Sequence, residues 1–151
     1  MSEISFTLMG APPSWSNRRG HWRAEYEAKK TWRELSWFHA AAARVLCEDL
    51  SMRIIPDAKS APEKRDVEVA VSRCQLLDPD NLVASVKPVV DGLKKQVIVD
   101  DSSEWMHLTV TQTKVSSRKL ERTEIRITRS AESPVHSRAA QRSSVVQGGS
   151  G

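Results

Sequence analysis

Four stretches of the chain alternate apolar and polar residues, which is the pattern of a β-strand with one buried face. They cover residues 4–8, 67–74, 106–111 and 120–129. The last two flank a turn at residues 116–119, so their spacing predicts a hairpin. A short apolar run at residues 96–99 is also strand-like. The pattern therefore predicts four or five strands.

Two longer stretches repeat apolar residues every three or four positions, as an amphipathic helix does. The first predicts a helix from about Glu25 to Leu50. Its apolar stripe, which we expect to face the core, consists of Leu35, Phe38, Ala42, Val45, Leu46 and Leu50. The second predicts a helix whose stripe consists of Leu82, Val86, Val89, Val90, Leu93 and Val97. Together these elements predict an α+β fold in which a mixed sheet of four or five strands packs with two main helices.

The length and composition bound the domain organisation. At 151 residues, the chain is long enough for one domain with a modest core. From residue 130 onward the composition changes to Ser, Ala, Arg, Gln and Gly, with few large apolar residues. Such a segment buries too little apolar surface to offset its ordering entropy. We therefore predict a folded domain over residues 1–129 and a disordered polar tail over residues 130–151.

Cysteine usage and hydropathy bear on the cellular compartment. Cys47 and Cys74 lie in apolar-periodic stretches without C-x-x-C spacing, as expected of reduced, partly buried thiols. The chain opens without a leader-like pattern, and no apolar run approaches ~18 residues. We therefore expect a cytoplasmic protein with no membrane span.

The charge of the chain favours a polyanionic partner, since the formal net charge is +4 and the pI is about 9.3. Four of the five tryptophans lie between residues 15 and 37 among arginines and lysines. This mixture suits a nucleic-acid backbone and an unstacked base near a branch point. The candidate DNA contacts are Arg18, Arg19, Arg23, Lys29 and Lys30, with Arg118 and Lys119 in the basic last segment. The alternative is that the tryptophans anchor the core, as we expect of Trp32 and Trp37, and that the charges form a solvated face.

Two acidic clusters, at residues 78–81 and 100–101, flank the second predicted helix. At 100° per residue, Asp80, Lys87 and Asp91 fall within a narrow arc outside the apolar stripe. The strand-like run at residues 96–99 is expected to bring the second cluster back beside the start of the helix. Clustered carboxylates with a lysine suggest a site for a metal such as Mg²⁺, which prefers oxygen ligands.

The alternative is that each acidic cluster is structural. An Asp-Pro-Asp-Asn sequence suits a turn followed by a helix N-cap, in which Asp80 or Asn81 would bind the first helical amides. The sequence from Asp100 to Ser102 also suits a turn. The occurrence of both clusters, with Lys87 on the Asp80 face of the helix, favours a functional site.

The order of these motifs resembles the signature of the RusA-type Holliday-junction resolvases. The matching stretches are Asp78-Pro79-Asp80-Asn81-Leu82, Lys87-Pro88-Val89-Val90-Asp91-Gly92-Leu93 and Asp100-Asp101-Ser102. The resemblance covers roughly residues 4 to 129, and the spacing from Asp80 to Lys87 exceeds that of the family by nearly one helical turn. Members of this family are small, dimeric, magnesium-dependent endonucleases that phages and prophages often carry.

The resemblance implies a role for each matching residue. The implied catalytic residues are Asp78, Asp80, Lys87 and Asp101. The implied metal ligands are Asp78, Asp80, Asp100 and Asp101. Lys87 would neutralise the scissile phosphate or position the attacking water, while Asn81 and Asp91 would orient their neighbours. The implied cofactor is Mg²⁺, with Mn²⁺ as a substitute, and no small-molecule cofactor is implied.

The function that the resemblance implies is resolution of Holliday junctions or other branched DNA by paired, symmetric phosphodiester cleavage, in recombination and repair. The implied fold is RusA-like and homodimeric, because two identical sites related by a twofold axis match the pseudo-twofold symmetry of a four-way junction. The implied location is the cytoplasm of a bacterial or phage-infected cell. The alternative is a non-catalytic junction- or DNA-binding protein with a vestigial acidic site.

Overall fold

The fold is described from a computed structural model of the chain, over residues 2–15 and 22–131. Its elements in chain order are β1 (Glu3–Met9), α1 (Trp22–Val45), β2 (Arg65–Arg73), α2 (Pro79–Asp91), β3 (Met106–Lys114) and β4 (Arg122–Arg129). Short 3-10 turns lie at Leu50–Arg53 and Arg118–Leu120. The predicted α+β class is confirmed, with a four-stranded mixed sheet and two main helices.

The predicted tail, residues 130–151, lies outside the described residues except for its first two. The amide of Ser130 donates to the carbonyl oxygen of Lys64 at 3.0 Å, so backbone hydrogen bonding continues one residue past the predicted boundary. Neither helix among the described residues is apolar enough over a sufficient length to cross a membrane.

The strands lie in the order β1-β4-β2-β3. β2 and β3 are parallel, so α2 forms the crossover between them, and β4 is antiparallel to both β1 and β2. The predicted hairpin of the last two strands is wrong, because β2 lies between β3 and β4. β2 carries the buried valines Val67, Val69 and Val71, which favour a central position with a strand on each side. β3 is mostly exposed or half-buried and occupies an edge.

The second predicted helix ends at Asp91, and the strand predicted at residues 96–99 is wrong. The amides of residues 96–98 all donate to the carbonyl oxygen of Leu93, at 3.0–3.3 Å. Lys95 adopts a φ of 61°, so the chain closes a compact turn instead of extending. Val97 is fully buried within this turn. The apolar pattern therefore identified a core residue but not its backbone conformation.

The predicted end of the first helix at about Leu50 is wrong, because α1 ends at Val45 and Leu50 begins a 3-10 turn. The predicted orientation is also wrong, because the apolar stripe faces away from the core. The exposed fractions are 42% for Leu35, 65% for Phe38, 56% for Val45, 78% for Leu46 and 68% for Leu50, and Ala42 is also exposed. Trp32 packs against the core as predicted, whereas Trp37 is 42% exposed and does not anchor it.

The small residues of α1 face inward because α1 and α2 approach closely. Ser36 and Ala40 are fully buried, and the Ser36 hydroxyl donates to the carbonyl oxygen of Val89 at 2.6 Å. A Cβ placed on Gly92 would lie 2.4 Å from the carbonyl oxygen of Arg33 and 2.7 Å from the Cβ of Ser36. This contact has no room for a large apolar side chain, so the bulky stripe of α1 is turned outward.

The core lies between the helices and one face of the sheet. The side of β2 that faces this core presents, in order, Arg65, Val67, Val69, Val71 and Arg73, all buried. The adjacent strand β4 adds Ile125 and Ile127, which are register partners of Val69 and Val67. The opposite side of β2 includes the exposed Glu68.

The two buried arginines tie neighbouring segments to the ends of β2. Arg73 donates to the carbonyl oxygen of Pro12 at 3.0 Å and to the hydroxyl of Ser85 on α2 at 3.3 Å. Arg65 donates to the carbonyl oxygen of Val97 at 2.8 Å, which fixes the turn that follows α2. Burial lowers the pKa of both guanidinium groups. The central strand thus positions both halves of the α2 region.

We expect Gly92→Ala to lower the free energy of unfolding by ~1–3 kcal/mol, because the new methyl group would overpack the helix contact. The φ of Gly92 is −69°, which alanine adopts without strain, so restriction of the unfolded chain alone would stabilise the variant slightly. Urea unfolding followed by tryptophan fluorescence would measure the change. Ser36→Gly removes one clashing side chain, so Gly92→Ala should cost less in a Ser36→Gly background than in the wild type. Equal or greater stability of Gly92→Ala would contradict the close contact.

Candidate active site

Asp78 caps the start of α2. Its Oδ1 accepts a hydrogen bond from the amide of Asn81 at 2.9 Å, and its Oδ2 accepts one from the Asn81 side-chain amide at 2.8 Å. Pro79 occupies the first helical turn, where its missing N–H leaves no bond unmade. The structural alternative placed the cap at Asp80 or Asn81, but the capping residue is Asp78. Asn81 therefore orients the carboxylate of Asp78.

Gln112 on β3 fixes the segment that leads into this cap. Its side-chain amide donates to the carbonyl oxygen of Leu77 at 2.6 Å and accepts from the Leu77 amide at 3.0 Å. This pair of hydrogen bonds holds the residue immediately before Asp78 against the sheet. Sequence reasoning missed Gln112, because nothing in a strand pattern marks a polar residue that clamps another segment.

Asp80 is exposed in the first turn of α2, where the helix dipole favours a negative charge. Lys87 follows seven residues later, so the two share a helix face as predicted. Seven residues correspond to about 10 Å along the helix axis. Asp80 and Lys87 are thus aligned on α2 but lie two turns apart.

Lys87 belongs to a second group, which we call the lysine–aspartate cluster and define as Lys87, Asp91, Lys94, Asp100 and Asp101. The Lys87 ammonium forms ion pairs with Asp101 and, at 2.8 Å, with Asp91. The Lys94 ammonium lies 3.2 Å from Asp101, 3.3 Å from Asp91 and 3.9 Å from Asp100. The predicted pairing of Lys87 with Asp91 at i,i+4 is confirmed.

Hydrogen bonds within the cluster favour the charged forms of Lys87, Lys94 and Asp101. The hydrogen bond from Lys87, aided by that from Lys94, lowers the pKa of Asp101 to about 2. Partial burial by itself lowers the pKa of each lysine, but hydrogen bonds to Asp101 and Asp91 outweigh it and raise the pKa of both. At neutral pH the cluster therefore presents two ammonium groups among carboxylates.

The predicted metal ligands lie at two separate positions along α2, one at its start and one beside its C-terminal half. The second acidic cluster does not return beside the helix start as expected, because Asp101 contacts Lys87 in the C-terminal half. The cause is the compact turn after α2, which replaces the expected strand. Asp78 and Asp80 remain at the start of the helix. Among residues 2–15 and 22–131, no group of three or more His, Cys, Asp or Glu side chains is placed to hold a metal ion.

The donor chemistry nevertheless suits Mg²⁺. This ion prefers oxygen ligands and retains several waters, so one or two carboxylates and a substrate phosphate suffice to bind it. Asp100 and Asp101 lie next to each other at the cluster, with 50% and 21% of their side chains exposed. Asp78 and Asp80 offer a second carboxylate pair. The residues therefore fit Mg²⁺ in ligand type.

Lys94 is the residue of the cluster that sequence reasoning missed. It contacts all three carboxylates, whereas Lys87 pairs with Asp91 and Asp101. Its spacing of three residues from Asp91 was not a dependable signal, because α2 ends at Asp91 and the turn that follows the helix places Lys94. The two lysines together supply a cation on each side of Asp101.

The predicted DNA contacts on α1 lie on its first half. Arg23 is exposed in the first turn. Lys29 pairs with Glu25 at 2.8 Å, and Lys30 lies 4.0 Å from Glu34. These pairs are exposed, so they are weak and leave the lysines available to a phosphate.

The other predicted DNA contacts lie near the start of α2. Arg118 and Lys119 are exposed in the 3-10 turn that follows β3. β2 and β3 are parallel and their last residues are register partners. The turn after β3 and Asp78 after β2 therefore follow strand ends at the same end of the sheet. The predictions for Arg18 and Arg19 lie outside the described residues.

In comparisons with known proteins, no protein-family model and no curated protein matches this chain. The resemblance found in the sequence therefore rests on the motif residues themselves. The roles that the resemblance implies are therefore judged from the positions of those residues in the structure.

We expect Asp101→Asn to lower the free energy of unfolding at pH 7 by ~1 kcal/mol, a modest value because Lys87 is half exposed and solvent screens the pair. The pKa of Asp101 lies at about 2 in the folded chain, below its ordinary value of 3.8. The stabilisation is therefore complete above pH ~4 and is lost as the pH falls through ~2. Urea unfolding at pH 7, 4 and 2 would measure it.

A double-mutant cycle provides the control. Asp101→Asn should cost less in a Lys87→Met background, because the first cause of the low pKa is already absent. The low pKa of Asp101 would be contradicted if Asp101→Asn lowered the free energy of unfolding by the same amount at pH 2 as at pH 7.

Proposed function

We propose that this protein is a Mg²⁺-dependent, structure-selective endodeoxyribonuclease that cuts Holliday junctions or other branched DNA. The observation that carries the proposal is the contact of Lys87 with Asp101. These residues come from motifs 14 positions apart, and the resemblance to RusA-type resolvases assigns both to catalysis. The basic surface of α1 and the overall charge of +4 support a nucleic-acid substrate.

Phosphodiester hydrolysis needs an activated water and compensation for negative charge on the phosphate oxygens. Asp100 and Asp101 at the lysine–aspartate cluster, and Asp78 and Asp80 at the start of α2, would form two separate carboxylate pairs for Mg²⁺. When bound, this ion lowers the pKa of a bound water and neutralises the phosphate. Lys87 would place its ammonium group against the scissile phosphate. Asp91 holds that ammonium group at 2.8 Å and so orients it.

The lysines also reduce the repulsion between the carboxylates and a DNA backbone. Several carboxylates beside a DNA backbone repel it unless cations screen them. Lys87 and Lys94 supply this screening within the chain, and both ammonium groups lie within ion-pair distance of Asp101. The surface of Lys87 is 55% exposed, so a phosphate can reach it without opening the fold.

The proposal includes a homodimer with the outward stripe of α1 as its interface. The stripe extends from Leu35 to Leu46, about 17 Å along the helix. The small residue Ala42 lies between a bulky pair, Leu35 and Phe38, and a second bulky pair, Val45 and Leu46. Two antiparallel copies related by an axis through Ala42 would set Phe38 of each, four residues before Ala42, against Leu46 of the other, four residues after it. A twofold interface requires this self-complementarity.

A second candidate function is DNA binding without catalysis. The observation that favours it is the capping role of Asp78, whose two carboxylate oxygens are both bonded to Asn81. Under this proposal, the acids stabilise α2 and the lysine–aspartate cluster, and only the basic surface contacts DNA. Cleavage assays separate the two functions.

We expect the wild-type chain to introduce paired, symmetric nicks in a labelled four-way junction with Mg²⁺ and to leave a linear duplex intact. Asp101→Asn, Asp80→Asn and Lys87→Met should each reduce cleavage ~100-fold or more, and the two aspartate variants should retain junction binding. Glu104→Gln, at an exposed acid close in sequence to Asp101, serves as the matched control and should cut normally. Junction binding without cleavage by the wild type in Mg²⁺ or Mn²⁺ would establish the second candidate instead.

We expect the wild type to have twice the 16.9 kDa mass of one chain in light scattering after size exclusion. Phe38→Glu or Leu46→Glu should yield monomers, because each places a charge in the apolar interface. Val83→Glu on α2 is the matched control, since Val83 is 51% exposed outside the stripe, and it should remain dimeric. A monomeric wild type is the result that excludes this interface.

A further inference from the structure

A cavity of about 390 Å³ lies between α1 and α2, next to the lysine–aspartate cluster. This volume is near the lower end of the ~300–1,000 Å³ of typical ligand pockets. α1 contributes residues 26, 29, 30 and 33, and α2 contributes residues 84, 87, 88 and 91. Each set follows the i, i+3, i+4, i+7 spacing of a single helix face. The cavity is thus built by two helix faces that the close contact at Gly92 holds together.

The walls of the cavity are strongly cationic. Lys29, Lys30 and Arg33 line it from α1, and Lys87 lines it from α2. Asp91 is the carboxylate in the lining, and its Oδ1 is bonded to Lys87. Outside the lining, Asp101 pairs with Lys87, Glu25 pairs with Lys29, and Glu34 lies 4.0 Å from Lys30. An anionic group that enters the cavity therefore meets four lining cations and one lining carboxylate.

Aromatic rings line the same cavity. Trp15 is 8% exposed, and its indole N–H donates to the carbonyl oxygen of Ser85 at 3.1 Å, so α2 fixes this ring. The Lys29 ammonium lies 5.5 Å from the centre of the Trp15 ring, within the range of a cation–π contact. Tyr26 also lines the cavity but remains 55% exposed. The Trp15 ring is therefore structural, whereas the Tyr26 ring is half exposed and accessible to an incoming group.

We propose that this cavity binds one unpaired nucleotide of the DNA substrate, with its base against Tyr26 and its phosphate among Lys30, Arg33 and Lys87. A planar base and an adjacent phosphate match an aromatic ring beside several cations. Both faces of a base inside a duplex are covered by its neighbours, so only an unpaired base can stack on Tyr26. This inference rests on the proposed action on DNA and deepens it.

The position of the cavity gives the site a role in selecting the structure that is cut. Lys87 and Asp91 belong both to the cavity and to the lysine–aspartate cluster. A nucleotide held there would place a neighbouring phosphate beside Lys87 and Asp101. Branched DNA with an unpaired base at the crossover would gain this contact, while a continuous duplex would not.

The test compares DNA probes bound without divalent metal, so that nothing is cut. The first probe is a duplex with a three-nucleotide single-stranded gap that carries 2-aminopurine, the second is the continuous duplex, and the third has abasic sites in the gap. Fluorescence anisotropy gives the affinities, and 2-aminopurine quenching reports stacking. The variants are Tyr26→Ala, Tyr26→Phe and Arg33→Gln, and Lys59→Gln is an exposed charge control outside the lining of the cavity.

We expect Tyr26→Ala to weaken binding to the gapped probe about fivefold or more, the ratio that corresponds to ~1 kcal/mol for a stacked base, and to abolish the quenching. Binding to the continuous duplex should be unchanged. Tyr26→Phe should retain the preference for the gap because the ring remains, and Lys59→Gln should match the wild type. Arg33→Gln should weaken binding to the gapped and the abasic probes, since both keep the phosphates.

An equal effect of Tyr26→Ala on gapped and continuous DNA would overturn the inference, as would a wild type that binds abasic and normal gaps alike. These outcomes are independent of the nuclease assay. A gap preference that depends on Tyr26, in a chain that cuts nothing, supports the pocket and excludes the nuclease. Junction cleavage without a Tyr26-dependent gap preference supports the nuclease and excludes the nucleotide pocket.

Discussion

The rest of the structure depends on two buried guanidinium groups at opposite ends of one strand. Arg65 and Arg73 occupy the first and last positions of β2, on the side that otherwise presents valines. A buried charge is costly unless hydrogen bonds satisfy it, so each guanidinium group requires nearby oxygen acceptors. Arg73 donates to the hydroxyl of Ser85 on α2, and Arg65 donates to the carbonyl oxygen of Val97 in the following turn. The helix and the turn that carry the candidate site are thereby bonded to one rigid strand.

Much of the fold was predictable because strand alternation and helical period are local properties of the sequence. The predictions that failed concern which elements pack or pair with each other, and this depends on contacts between residues far apart in the sequence. The stripe around Phe38 is apolar and was assigned to the core, yet the inward side of α1 is set by Ser36 and by Gly92 on another helix. The order of the last two strands depended in the same way on where the valines of β2 could be buried.

The candidate site was predictable to the extent that it depends on helix geometry. The common face of Asp80, Lys87 and Asp91 follows from 100° per residue, and the pair of Lys87 and Asp91 is present. The position of Asp101 beside Lys87 depends instead on a turn whose amides converge on one carbonyl oxygen, for which the apolar run before it gives no signal. Lys94 joins the cluster through the same turn. Residues placed by tertiary hydrogen bonds were therefore the ones that sequence patterns misplaced or omitted.

α1 connects the two surfaces proposed for this protein. Its first half, from Tyr26 to Arg33, lines the cavity against α2, and its second half carries the exposed stripe that includes Ala42. Lys30 lies 12 residues from Ala42, or about 18 Å along the helix. An antiparallel pairing of two α1 helices at Ala42 would therefore separate the two cavities by about 35 Å, close to the ~34 Å length of one turn of duplex DNA. One helix would thus set both the symmetry of the assembly and the spacing at which two strands are engaged.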